Sequence, residues 1–369
     1  MTGPATRSGS GASLPDFPWD LLEPAKAKAA AHPDGIVDLS IGTPVDPVPL
    51  VVQAALAAAS DAPGYPQTAG TPALREAITD WVTRTCGARP GFGVLPTIGS
   101  KEFVAWLPTL LGLGPDDAVA IPTVCYPTYE VGVRLVGATV VRTDDPAHDL
   151  DDTPVKLLWI NSPGNPNGRV RSADDLREVV AWARSRGVVV ASDECYLSLG
   201  WEDQPTSILE ACGDDTSGVI AVHSLSKRTN LAGYRAGFVA GDPVLVADLL
   251  ALRKHIGMIV PKPVQAAMIA ALGDEAHVRE QRDRYAHRRN VMRVALAGAG
   301  LRIEESRAGL YLWATRDEDG WATVDWLAGH GILVAPGDFY GPAGKLYVRA
   351  ALTATDERIE AAAERLSIA

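Results

Sequence analysis

The sequence predicts an α/β fold: a large domain with a mostly parallel seven-stranded sheet covered by helices, plus a smaller α+β domain. Three observations carry this. The chain has 369 residues, too many for one minimal domain, and 47% of them are apolar, enough to fill more than one core. Between residues 94 and 240, short β-branched runs bounded by Gly, Pro, Asp or Ser alternate with longer amphipathic stretches. That alternation is the mark of parallel strands buried between helices. After Asp242 long helical patterns are followed by short strands, which marks a second module.

The elements follow in order. Residues 1–13, MTGPATRSGSGAS, are small and polar, lack the apolar centre of a signal peptide, and are expected to be a disordered tail. Residues 14–45 are punctuated by proline (LPDFPWDLLEP, then IGTPVDPVP) and are expected to be an arm of the small domain with one helix over 19–31. Helices are expected at 51–60 and 71–85, flanking the turn-forming segment DAPGYPQTAG with its isolated Tyr65. The strand runs are 94–98, 118–121, 138–141, 155–160, 188–191, 219–222 and 236–240, separated in part by helices at 101–111, 129–136 and 172–186. The large domain is read as 46–280 and the small one as 281–369. Helical patterns cover 243–256 and 263–272, and a long charged one at 276–299 is suited to bridging the two. Short strands at 301–305, 310–314, 332–335 and 346–350, a helix before His330 and a terminal helix from Asp356 complete the chain.

Composition removes several classes of function. With 34 basic and 45 acidic residues the formal charge is −11, with no block of like charge, so neither nucleic acid nor an anionic membrane is an expected partner. No apolar run reaches spanning length. Cys86, Cys125, Cys195 and Cys212 show no paired spacing and read as reduced thiols of a cytoplasmic protein. Seven scattered histidines make no HExxH or His/Cys cluster, so no metal is expected.

Four of the apolar runs end in chemically loaded loops. Run 94–98 is followed by Gly99-Ser100-Lys101 at a helix start, where free N–H groups favour a phosphate. Run 155–160 leads into NSPGNPNG, run 188–191 into Ser192-Asp193-Glu194-Cys195-Tyr196, and run 219–222 into HSLSKRTNLAGYRAG with Lys227 and Arg235. Parallel strands would bring these loops to one sheet edge. A lysine, an aspartate, an asparagine, a tyrosine and an anion site suit an aldehyde cofactor carrying a phosphate and a pyridine ring: Lys227 is the amine and Asp193 the partner of the ring nitrogen.

With these motifs the chain resembles the fold-type I, pyridoxal-phosphate-dependent aminotransferases of class I/II, whose fold is that of aspartate aminotransferase. NPNG, DExY, SxSK and GxRxG occur in family order over essentially all of the chain from Leu14. The resemblance implies that Lys227 bonds the cofactor aldehyde and that Asp193 pairs with the pyridine nitrogen. It further implies that Tyr196 and Asn165 bond the ring hydroxyl, that Tyr126 (where many relatives have tryptophan) stacks on the ring, and that Ser100 and Lys101 (through backbone amides), Ser224 and Arg235 hold the phosphate. Tyr65 resembles a tyrosine that reaches the neighbouring subunit's phosphate, implying a homodimer. Arg349 resembles the arginine that takes the substrate α-carboxylate, and Gly42 an arm residue closing over substrate. Lys262, in VPKPVQ, is a weaker candidate for a distal carboxylate, and a solvated lysine is the expected reading.

Competing motifs fail on context. Ser224 to Lys227 satisfies SxxK without the SDN or KTG of the penicillin-recognising hydrolases, Gly112-Leu113-Gly114 lacks the third glycine of a dinucleotide fingerprint, and GPAGK at 341–345 lacks P-loop spacing. The resemblance implies ping-pong exchange between an amino acid and a 2-oxo acid. The segments LPDFPWDLL and GYPQTAGTPALREA look most similar to N-succinyldiaminopimelate aminotransferases of lysine synthesis, which use glutamate as donor; an aromatic- or aspartate-type aminotransferase and a β-elimination lyase are the alternatives.

Overall fold

Valine- and isoleucine-rich runs that are apolar on both faces gain most by lying side by side beneath helices. In the computed structural model, which describes residue 14 and residues 17–150 and 153–368, they do so; the tail expected over 1–13 lies outside the described residues. After a short strand in the arm, β1 (Val37–Asp38), the strands are β2 (Gly93–Ile98), β3 (Ala118–Ile121), β4 (Thr139–Arg142), β5 (Leu157–Asn161), β6 (Val189–Asp193), β7 (Val219–Ser224) and β8 (Ala236–Gly241). These last seven form one sheet in the order β2-β8-β7-β6-β5-β3-β4. Only β8 is antiparallel to its neighbours. Thus β2, β5, β6 and β7 all end at the same edge, and β8, running the other way, starts there.

The smaller part is built on β9 (Arg302–Glu304), β10 (Tyr311–Thr315), β11 (Ile332–Leu333), β12 (Ala335–Pro336) and β13 (Val348–Ala351). Its antiparallel sheet has the order β12-β13-β10-β9, while β11 pairs in parallel with β1 of the arm. The single strand expected over 332–335 is therefore two, because the chain leaves one sheet after Leu333 and joins another at Ala335. The arm helix expected over 19–31 is also broken: a 3₁₀ turn, Pro18–Leu22, precedes the α-helix Glu23–Ala30. Pro24 cannot donate an N–H and is tolerated only in a helix's first turn, so a new helix must start there.

Two apolar cores cover the faces of the large sheet, one around Trp81, Phe238 and Met268, the other around Phe103, Tyr129 and Trp159. A third joins the small sheet to Leu22, Val37 and Leu39 of the arm and to Tyr285 and Met292 of the helix Ala276–Gly298. The arm is also fastened electrostatically. Asp46 accepts from Arg288 at 2.7 and 2.8 Å, from Arg284 at 2.9 Å and from Gln281 at 2.8 Å, all on that helix. Among the described residues no helix is long and apolar enough to cross a membrane.

Candidate active site

Over the edge where the strands end lies a cavity of about 1700 Å³, roofed by the arm and the small part. Eleven of the residues singled out from the sequence line it: Gly42, Ser100, Lys101, Tyr126, Asn165, Asp193, Tyr196, Ser224, Lys227, Arg235 and Arg349. Tyr65 does not, being fully exposed on the surface of this chain. Lys262 is exposed at the first position of the helix Lys262–Gly273 and does not line the cavity either.

Asp193 is the last residue of β6, in register with Asn161 on β5 and Val222 on β7. Its side chain is buried. Oδ2 accepts the Tyr129 hydroxyl at 2.8 Å and Oδ1 the Cys195 N–H at 3.2 Å. Burial pushes the Asp193 carboxyl above the usual range, and these donors work against that shift. Such a carboxylate is stabilised by one further positive or N–H group.

Lys227 lies in a one-turn helix, Leu225–Arg228, directly after β7, with its ammonium donating to the Gly42 carbonyl of the arm. Burial lowers its pKa first, with Arg349 and Arg235 acting in the same direction and the Tyr311 and Cys195 side chains opposing. A Cβ on Gly42 would run into the Tyr311 ring, so only glycine lets the arm pass this close.

Arg235 precedes β8 in the left-handed region (φ 55°), which turns its guanidinium back over the edge. A Cβ on Gly99 would collide with that guanidinium, so the glycine is what allows the helix Gly99–Leu110 to begin beside it. The first-turn N–H groups of Ser100 and Lys101 have no intrahelical partner. The Ser224 hydroxyl accepts from the Ser226 N–H at 3.1 Å, which leaves its own proton to donate. A guanidinium, a hydroxyl and orphan amides around one point form an anion cradle of phosphate character.

Arg349 on β13 is buried, with Nη1 donating to Asn165 Oδ1 at 3.0 Å, Nη2 to the Ser40 carbonyl at 2.7 Å, and Nε lacking a partner. The peptide bonds before Pro163 and Pro166 are both cis in the NSPGNPNG loop that presents Asn165. Tyr196 places its hydroxyl 3.0 Å from that of Tyr311, and burial raises its phenol well above the usual value. Tyr126 sets its ring edge-on to Tyr129, centroids 5.8 Å apart, and burial raises its phenol too.

Three tyrosines of the site escaped the sequence reading: Tyr311 and Tyr340 line the cavity, and Tyr129 lies buried behind Asp193. Tyr129 stacks on Trp159 at 4.9 Å while bonding Asp193. Its signal was one helical turn from Tyr126 in CYPTYE. Tyr311 and Tyr340 place their rings 4.0 and 4.8 Å from the Arg349 guanidinium carbon.

The residues present suit pyridoxal phosphate: an anion cradle, an amine of lowered pKa and a buried carboxylate with no cationic partner among the described residues converge on one cavity. Comparison with known proteins agrees. The family model described as aminotransferase class I and II matches residues 34–366. The 4-dedimethylamino-4-oxo-anhydrotetracycline transaminase OxyQ of Streptomyces rimosus is 59% identical over 96% of this chain and 99% of its own length. An LL-diaminopimelate aminotransferase of Dehalococcoides mccartyi is 32% identical over 96% of both chains. The solved structure of a probable N-succinyldiaminopimelate aminotransferase from Thermus thermophilus superposes with a TM-score of 0.85 at 31% identity, covering 95% of this chain and all of that one. A strand-end lysine, a buried aspartate and a phosphate cradle thus meet in a chain that belongs to the class I and II aminotransferases, pyridoxal-phosphate-dependent enzymes that pass an amino group between an amino acid and a 2-oxo acid.

Proposed function

We propose that this aminotransferase acts on N-succinyl-LL-2,6-diaminopimelate with 2-oxoglutarate and glutamate as the exchange pair, in the synthesis of diaminopimelate and lysine. The observation that carries the reading is a count of charges in the cavity. Arg134 and Arg142 are both paired with Glu130, but Lys101, Lys227, Arg235 and Arg349 have no carboxylate partner among the described residues. A phosphate takes Arg235, an α-carboxylate takes Arg349, and Lys227 is reserved for covalent chemistry. Lys101 is left for a distal carboxylate, which glutamate, 2-oxoglutarate and the succinyl substrate all carry. The 31% identity to the probable N-succinyldiaminopimelate aminotransferase supports the same choice.

When bound, pyridoxal phosphate supplies an aldehyde for the amino group and a ring that accepts electrons from Cα. In this reading the Asp193 carboxylate keeps the ring nitrogen protonated, and Tyr196 and Asn165 bond the ring oxygen. Tyr126 covers one ring face. Ser224, Arg235 and the amides of Ser100 and Lys101 hold the phosphate. Arg349 fixes the substrate carboxylate, and Gly42 lets the arm close above it. The Lys227 amine, kept deprotonatable by burial, takes the proton from the substrate Cα. Tyr65, exposed here, is assigned to the phosphate of a second subunit in a homodimer. Domain limits of 46–280 and 281–369, with 14–45 as the arm, accompany this assignment, as does a cytoplasmic setting suited to four free thiols.

One observation favours a second reading. The 59% identity to a transaminase of a tetracycline precursor, with Phe17, Trp19 and Phe339 on the cavity wall, suits an extended ring system. A half-reaction screen on the holoenzyme decides, following the cofactor absorbance against glutamate, succinyl-diaminopimelate, aromatic amino acids, aspartate and an amino-tetracycline. Conversion by glutamate and succinyl-diaminopimelate is expected. Response to the amino-tetracycline without succinyl-diaminopimelate replaces the first reading with the second, and release of pyruvate and ammonia without an oxo acid makes the protein a lyase.

A further inference from the structure

Tyr311 touches each of the groups that must agree when the site is assembled, yet none of the motifs contains it. It sits on β10 in register with Ala351, so Arg349 lies two residues along β13 on the same face, a diagonal cross-strand neighbour. Its ring carries the Arg349 guanidinium at 4.0 Å, a cation over a buried aromatic face. Its hydroxyl is 3.0 Å from that of Tyr196, which comes from the turn that follows β6 of the large sheet. The same hydroxyl and ring edge occupy the space a Cβ on Gly42 would need.

We propose that Tyr311 is a positioning residue with two separable tasks: its hydroxyl orients and polarises Tyr196, and its ring seats Arg349 for the substrate carboxylate. The proposal rests on the roles given above to Tyr196 and Arg349. Two neighbouring phenols cannot both donate to each other. If the Tyr311 O–H donates to the Tyr196 oxygen, the Tyr196 proton is left pointing to a third acceptor, and donation into its oxygen makes it the stronger donor. Among the described residues the charged or titratable groups within electrostatic reach of Tyr311 are Tyr126, Tyr196, Lys227, Tyr285, Tyr340 and Arg349. Of these, Tyr196 is the one hydrogen-bonded to its hydroxyl.

Two variants separate the tasks. Tyr311→Phe keeps the ring and removes the hydroxyl; Tyr311→Leu removes both. The first readout is the pH midpoint of the unreacted holoenzyme's cofactor absorbance. The second is the Kd of glutarate, an unreactive dicarboxylate, read from the same spectrum. Tyr311→Phe is expected to raise the midpoint by about half a unit to one unit, the equivalent of one hydrogen bond, and to leave the glutarate Kd within about threefold. Tyr311→Leu is expected to shift the midpoint likewise and to weaken glutarate about ten- to thirtyfold. An unmoved midpoint in Tyr311→Phe, or an equal loss of glutarate affinity in both variants, overturns the proposal. Tyr196→Phe and Arg349→Ala identify the other failure: if they move neither readout, the roles assigned to Tyr196 and Arg349 are wrong.

Discussion

Removing one oxygen atom, in Tyr129→Phe, tests whether Asp193 owes its ionisation to a group outside every motif. The Tyr129 ring is held by its stack on Trp159, at 4.9 Å and 16° between planes, so phenylalanine should keep the packing and lose only the 2.8 Å donor to Asp193 Oδ2. A hydrogen bond to a charged acceptor is worth about 1.5–3 kcal/mol, which corresponds to a rise of about one to two units in the carboxyl pKa. That rise adds to the upward shift that burial already imposes. In the cofactor-free enzyme the linkage has a definite sign. A carboxyl with raised pKa gives stability that is complete below its unfolded pKa and is lost as pH rises through its folded value, so Tyr129→Phe should widen the loss toward higher pH. With cofactor bound, weaker ionisation of Asp193 means weaker hold on the ring nitrogen's proton, and the glutamate half-reaction should slow by about ten- to a hundredfold. Stopped-flow absorbance measures the rate, and Tm against pH for the apoenzyme measures the linkage. A rate within twofold of wild type, with an unchanged Tm profile, would refute the reasoning.

Other outcomes follow from the same geometry. Lys227→Ala should abolish turnover and, after borohydride treatment, leave no cofactor covalently bound, as mass spectrometry would show; cofactor still trapped on another residue of the variant would contradict the assignment. Glu194 is buried, with Oε2 making no hydrogen bond and lying 3.7 Å from Nε2 of His223, and burial pushes its carboxyl up to about 7. Its contribution is therefore full below about pH 4.5 and lost as pH rises through about 7, so Glu194→Gln should raise Tm at pH 8 relative to wild type and not at pH 4.5. Asp46→Ala leaves the buried Arg288 with only Asp356 as a charged partner among the described residues and should cost about 3 kcal/mol in denaturant unfolding at neutral pH. Although burial opposes it, hydrogen bonds from Arg288, Gln281 and Arg284 hold Asp46 below the usual range, so this cost should shrink as pH falls through that lowered pKa. Gly42→Ala should raise the KM for amino acids, because a methyl group there drives the arm away from Tyr311.

By itself the sequence determined the seven-stranded sheet and the loops that carry its chemistry. Its strands are buried on both faces, so their apolar runs are continuous and need no partner to be recognised, and 94–98, 118–121 and 219–222 lie within or coincide with the observed strands. The loops were legible because Asp193, Lys227 and Arg235 lie at or close to the ends of the runs 188–191, 219–222 and 236–240. Tertiary structure alone decided the rest. The reversal of β8 puts Arg235 at the same edge as the ends of β2, β5, β6 and β7, and pairing direction leaves no local signature. The break at Val334 depends on which sheet edge each half meets. Tyr129 and Tyr311 cannot be told from core aromatics by sequence, because a buried phenol and a functional one differ only in what lies opposite the hydroxyl: Asp193, 64 residues away, for the first, and Tyr196, 115 away, for the second.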